Sequence, residues 1–177
     1  TGIGEASARR FAADGWRVAI LDRDTERGAA IEAELASARF LECDVADAGM
    51  INRAVASVAD DWGRIDACIC SAGILEAPTT IMDMDPDAHD RLWQINYNGT
   101  VHTCRAVARV MEGQGSGAIV TLGSINSYVA LPLPAYCPSK TAILRLTEML
   151  AVELGRFGVR VNGVAPTYVL TPALKAK

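Results

Sequence analysis

No run of apolar residues in this sequence approaches the roughly 18 needed to cross a bilayer. No block of basic residues is present either, and the net charge is −4. These two absences argue against a membrane or a nucleic acid as the main partner. Histidine is scarce, with only His89 and His102, and none of the five cysteines falls in a Cys-x-x-Cys. Local spacing therefore assembles no metal site. Cys43, Cys68, Cys70, Cys104 and Cys137 are odd in number and read as reduced thiols of a cytoplasmic protein. A starting methionine, a signal peptide, an internal repeat and a low-complexity linker are also lacking.

What is present suits one globular domain over residues 1–177, with half its residues hydrophobic and enough chain for a real core. Residues 4–14 read as a helix closed by Gly15. Val18 to Asp22 is short, nearly all apolar and ends in an acid, which suits a central parallel strand covered on both faces. Thr25 is placed to cap a second helix, Phe40 to Val45 reads as a strand, and a helix follows from about Asp47 to Trp62. Ala67 to Ser71 reads as another buried strand, and 74–85 as a surface loop. Pro86 suits the first turn of a long helix to about Glu112, in which Gly99 permits close approach of another backbone. A strand at 118–122, a helix at 136–155 with the stripe Ile143, Leu146, Leu150 and Leu154, and a strand at 159–164 complete the pattern.

Alternating strands and helices predict an α/β fold, a doubly wound parallel sheet in three layers. Ligands of such sheets bind beyond the carboxyl ends of the strands. Asp22, Asp44, Gly73, Ser124 and Pro166 all stand at or just past those ends.

Tyr136 and Lys140 lie four residues apart, on one face of a helix. A phenol with a pKa of about 10 is a poor base at neutral pH. An ammonium about 4 Å away, at an effective dielectric of about 20, favours the phenolate by roughly 4 kcal/mol. That is enough to bring proton exchange with an alcohol or ketone near neutral pH. Thr1-Gly2-Ile3-Gly4 precedes a helix whose backbone N–H groups can hold a diphosphate. Asp22, about twenty residues on, is placed to accept from ribose hydroxyls and to repel a 2′-phosphate.

Together these residues resemble the short-chain dehydrogenase/reductase family over essentially the whole chain. The motifs occur in order: Gly2 and Gly4, Asp22, Asp44-Val45, Cys70-Ser71-Ala72-Gly73, Asn96, Ser124, Tyr136 with Lys140, and Pro166 through Thr171. The resemblance implies a Rossmann-type domain that moves a hydride between NAD(H) and a secondary alcohol or ketone, with NAD preferred over NADP. It implies Tyr136 as general acid/base and Lys140 as the group that lowers its pKa and binds the nicotinamide ribose. Ser124 would hold the reacting oxygen, with Ser127 a possible substitute, and Asn96 would anchor Lys140 through water and support a proton relay. Cofactor contacts would come from Gly2, Ile3, Gly4, Asp22, Asp44, Val45, Cys70, Ala72, Gly73, Tyr136, Lys140, Pro166, Val169 and Thr171. A homodimer or homotetramer through the two long helices is implied, with no metal.

Several positions depart from the family pattern. Cys70 and Ser71 stand where asparagine is usual, and Thr167 where glycine commonly follows the proline. The spacing of twelve from Ser124 to Tyr136 is one shorter than usual, so the loop must tighten for Ser124 to reach the substrate. The family's opening strand and its C-terminal part have no counterpart here, so the chain is expected to be a piece of a longer protein with a central strand absent. A cofactor-binding protein without turnover is the alternative reading, favoured by the short loop and Thr167.

Overall fold

A computed structural model describes residues 2–171. The elements alternate as α1 (Gly2–Ala13), β1 (Val18–Asp22), α2 (Thr25–Glu34), β2 (Ala38–Glu42), α3 (Ala48–Trp62) and β3 (Ala67–Cys70). Then come α4 (Pro86–Trp93), a π turn (Gln94–Asn98), α5 (Gly99–Gln114), β4 (Gly117–Leu122), a 3-10 turn (Ile125–Ser127), α6 (Tyr136–Gly155) and β5 (Val159–Val164). All strand pairs are parallel. The strand ends carrying Asp22, Cys70, Leu122 and Val164 therefore form the rim toward which the following loops turn.

The strands form two sheets. β1 pairs with β2, while β3, β4 and β5 pair in that order. A cavity of about 520 Å3 lies between the facing sides of β1 and β3. β1 was expected to be central and covered on both faces, and β3 to be buried. Instead every residue of β1 is only half-buried, and Ala67 of β3 is exposed. The local apolar pattern holds, but each strand has one edge against the cavity and no partner there among the described residues.

Two boundaries also shift. α1 begins at Gly2, not Gly4, and Gly15 closes it with φ +86°. α2 is capped by Asp24, whose carboxylate accepts from Arg27 N at 2.9 Å, so Thr25 becomes the first helical residue. Asp47 caps α3 by accepting from Gly49 N and Met50 N.

The core is thickest around β3–β4–β5. Ile51 and Val55 of α3, Cys104 and Met111 of α5, Ile119 of β4 and Leu146, Leu150 and Leu154 of α6 pack into one cluster. Each such large side chain contributes about 1.5–3 kcal/mol on burial. Gly99 lies where a Cβ would be 2.9 Å from Val45 Cγ2 and 3.1 Å from the Val45 carbonyl, so the expected close approach is to the loop after β2. Inside the core the Thr121 hydroxyl donates to that of Thr147 at 2.6 Å, and Thr147 donates to Ile143 O at 2.7 Å.

Candidate active site

Tyr136 opens α6, and Lys140 follows one turn later, buried at 7 % exposure. The Lys140 ammonium donates to the Leu122 carbonyl at the end of β4 (2.8 Å) and lies 5.7 Å from the Tyr136 ring centroid. Burial lowers its pKa to about 8. Burial also raises the Tyr136 pKa, the Ser124 side chain pulls it back down, and Cys137 adds a smaller upward push. The expected lowering of the phenol by Lys140 is thus not what dominates in the protein alone. The ammonium is turned to a backbone carbonyl, and desolvation disfavours both charged forms.

Ser124 follows β4 and is buried. Its hydroxyl accepts from Asn126 N at 3.1 Å, capping the 3-10 turn. It lies near enough to the phenol to lower its pKa. Between Ser124 and Tyr136 the loop is held by backbone bonds: Leu133 N donates to Leu131 O at 2.7 Å, and Ile125 N donates to Pro166 O at 2.9 Å. Ser127 is engaged elsewhere. Its hydroxyl donates to Lys140 O at 2.8 Å and accepts from Ser124 N at 3.2 Å, so it holds the turn against α6.

Asn96 sits fully buried in the π turn. Its side chain is used at both ends on Ile74, accepting from Ile74 N at 2.8 Å and donating to Ile74 O at 3.0 Å. A Cβ on Gly73 would meet Asn96 Oδ1 at 3.3 Å and Lys140 Nζ at 3.8 Å. Asn96, Gly73 and Lys140 therefore converge on one point, and a side chain at position 73 would crowd it.

The other half of the rim is more open. Asp22 at the end of β1 accepts from Asp24 N at 3.1 Å, and its second carboxylate oxygen has no partner among the described residues. Asp44 is more fully engaged. One oxygen accepts from Ala46 N at 2.9 Å, and the other pairs with Arg91 at 3.1 Å. The Ala46 N–H holds its carboxyl below the usual value, burial pushes the other way, and the Arg91 guanidinium adds further lowering. Val45 packs on Gly99. The Cys70 side chain points inward, 3.8 Å from the Cys104 sulfur, while Ala72 and Gly73 are exposed. Gly4 fits against Ser71, where a Cβ would be 2.5 Å from the hydroxyl. Gly2, with φ +60°, places Thr171 beside the same helix start: a Cβ there would be 3.2 Å from Thr171 Cγ2. Ile3 lies in the first turn of α1, and Pro166 and Val169 in the segment after β5. Thr1 lies outside the described residues.

Two contributors escaped the sequence reading. Arg91 reaches Asp44 from α4 across 47 residues. Glu76, in the loop after β3, accepts from Ala135 N and Tyr136 N at the start of α6. Neither has a local spacing signal; the only hint of Glu76 was a helix preceded by Ala135, a residue with no capping oxygen.

The whole chain, residues 1–177, matches the family described as enoyl-(acyl carrier protein) reductase. It is 40% identical to D-threitol dehydrogenase of Mycolicibacterium smegmatis, over 97% of this chain and 67% of that one. Short-chain dehydrogenase reductase 5 of Arabidopsis thaliana is 35% identical over 97% of this chain and 68% of its own. This chain belongs to the short-chain dehydrogenase/reductase family. Among solved structures, NAD+-bound xylitol dehydrogenase superposes with a TM-score of 0.91 at 36% identity, covering 94% of this chain and 66% of that one. Gluconate 5-dehydrogenase from Burkholderia cenocepacia, in complex with NADP and tartrate, gives 0.93 at 30%, covering 99% and 71%. The Rossmann-type, doubly wound architecture expected from the sequence is thereby established, and the chain is an oxidoreductase by family. It spans about two thirds of the length of these relatives. Their cofactors include both NAD and NADP. Among the described residues, no helix is long and apolar enough to cross a membrane.

Proposed function

We propose that the chain carries the NAD-linked site of a secondary-alcohol dehydrogenase, acting on a small polyol and its ketone. The observation that carries this reading is the convergence of Ser124, Tyr136, Lys140 and Asn96 at the ends of β3 and β4. In oxidation, Tyr136 as its phenolate accepts the hydroxyl proton as the C–H hydrogen leaves with its electron pair, and the carbinol carbon becomes a carbonyl. Ser124 donates to the reacting oxygen and steadies the charge that builds there. Lys140 has donors left after Leu122 O for two ribose hydroxyls, and Asp22 has a free carboxylate oxygen for the ribose at the other end. The first turn of α1, with Gly2, Ile3 and Gly4, faces the diphosphate position. These donors and acceptors fit a nicotinamide dinucleotide, which when bound supplies the hydride acceptor or donor.

Asp44, Val45, Ala72 and Gly73 complete the adenosine side, with Cys70 contributing backbone only, and Pro166, Val169 and Thr171 lie at the nicotinamide end. The preference for NAD rests on Asp22, whose charge opposes a 2′-phosphate. The polyol class rests on the names of the threitol and xylitol relatives. Met149 and Val152 stand exposed on α6, at 49% and 84%, which supports a homodimer or homotetramer. The five cysteines are free, which supports a reducing, cytoplasmic setting. The influence of Ser124 on the phenol weighs against a merely cofactor-binding protein.

The test is a panel of C4–C6 polyols assayed with NAD and with NADP. The expected outcome is turnover with kcat/KM at least about tenfold higher for NAD, a difference of about 1.4 kcal/mol. A higher kcat/KM with NADP would overturn the cofactor preference, and turnover of none of the panel would overturn the substrate class.

A further inference from the structure

The start of α6 presents an accounting problem. The first N–H groups of a helix have no partner within it and need an acceptor from elsewhere. Ala135, which precedes the helix, has no side-chain oxygen to offer. Cys137 N is satisfied by Leu133 O at 3.1 Å, position 138 is proline and has no N–H, and Ser139 N reaches Ala135 O at 3.2 Å. Two donors remain, Ala135 N and Tyr136 N, and one carboxylate takes both. Glu76 Oε2 accepts from Tyr136 N at 2.8 Å and from Ala135 N at 3.0 Å, with Oε1 at 3.3 Å from the latter.

We propose that Glu76 is a positioning residue for Tyr136, capping the catalytic helix from a different part of the chain. The inference rests on the function proposed above, in which Tyr136 moves the proton. The loop bearing Glu76 is fixed on both sides of it. Ile74 is held by Asn96 through two hydrogen bonds, and Thr79 N donates to Pro132 O at 3.0 Å. Residues 74–79 therefore tie the π turn, the loop after the 3-10 turn and the first turn of α6 together. An anion at this helix end also meets the positive end of the helix dipole. Because the bond is to the backbone of Tyr136 itself, losing it frees the residue whose phenol must meet the substrate oxygen. Misplacement by about 1 Å at a reacting group costs on the order of 100-fold in rate.

The experiment compares Glu76→Ala, Glu76→Gln and the unaltered chain in the alcohol oxidation assay across pH, with NADH binding followed by fluorescence. Glu76→Ala is expected to lower kcat about 10- to 100-fold and to leave NADH affinity within about twofold. Glu76→Gln keeps an acceptor oxygen and recovers most of that kcat. Glu76→Ala frees the first turn of α6 and with it the Tyr136 side chain from its buried place beside Ser124, so the midpoint for its ionisation shifts, whereas Glu76→Gln keeps the acceptor and leaves that midpoint near its place in the unaltered chain. Ultraviolet titration of tyrosinate, as the difference between each chain and its Tyr136→Phe counterpart, reads the same midpoint without turnover. This readout separates failure of the positioning role from failure of the proposed activity. An unchanged kcat and tyrosinate midpoint in Glu76→Ala would overturn the role. Parallel loss of NADH affinity and stability in both variants, with no shift of midpoint, would also overturn it and leave Glu76 a general structural contact.

Discussion

Around Tyr136 the polar groups are buried and partnered inside the protein, whereas at the other end of the rim Asp22 is half-exposed and keeps a carboxylate oxygen free. The two ends rest on different foundations. The catalytic end is built on β3–β4–β5 with α5 and α6 packed over it, and its side chains hold one another: Asn96 on Ile74, Ser127 on Lys140, Lys140 on Leu122. The other end is built on β1 and β2, none of whose residues is fully buried, and one edge of β1 borders a cavity. On the proposed function the first end transfers a proton and gains from fixed geometry, while the second grips a ribose and needs unsatisfied acceptors. The difference follows from those two demands.

Lys140 sharpens the comparison most, because catalysis and stability pull it in opposite directions. Lys140→Met is expected to reduce turnover at least about 100-fold and yet to stabilise the fold by roughly 1–3 kcal/mol at neutral pH. Its pKa is lowered in the folded chain to about 8, from 10.5. Between those values the unfolded chain binds the more protons, so the stability of the unaltered protein rises with pH relative to the variant. The stabilisation by methionine is thus full below pH 8 and fades toward 10.5. Denaturant unfolding at a series of pH values checks this; a gap constant across that window would refute it.

A contrast between one pair at each end comes next. Asn96→Ala leaves a partly buried N–H and C=O on Ile74 without their partner and should cost about 1–3 kcal/mol of stability. The partly exposed Arg91–Asp44 pair at the adenosine end should be worth far less. Arg91→Ala is expected to cost about 0.5 kcal/mol, and less in high salt. Equal losses from the two substitutions, measured by the same unfolding assay, would break the distinction between a rigid end and an open one.

Much of this arrangement was readable from local spacing. Ile51, Val55 and Val58 announce α3, and Ile143, Leu146, Leu150 and Leu154 announce α6, because a buried helical face repeats at three and four residues. Tyr136 and Lys140 are one turn apart for the same reason. Pairing between strands has no such local record. Val18–Asp22 reads the same whether one or both of its edges are bonded, so the opening between β1 and β3 was invisible in that stretch alone. Contacts across the chain were hidden too: Glu76 meets Tyr136 across 60 residues, and Arg91 meets Asp44 across 47. The direction of the phenol's shift in the protein alone was not legible either, because spacing placed the Lys140 ammonium near it but could not show that it turns to Leu122 O.

The central claim is that the phenol of Tyr136 moves the proton while the cofactor is held by other residues. Tyr136→Phe tests it most directly, since only the hydroxyl is lost. Turnover of the best polyol and NADH affinity by fluorescence are measured on the same preparation. The account predicts at least a 1,000-fold fall in kcat, about 4 kcal/mol of lost transition-state stabilisation, with NADH affinity within about threefold. Retained turnover in Tyr136→Phe would contradict it.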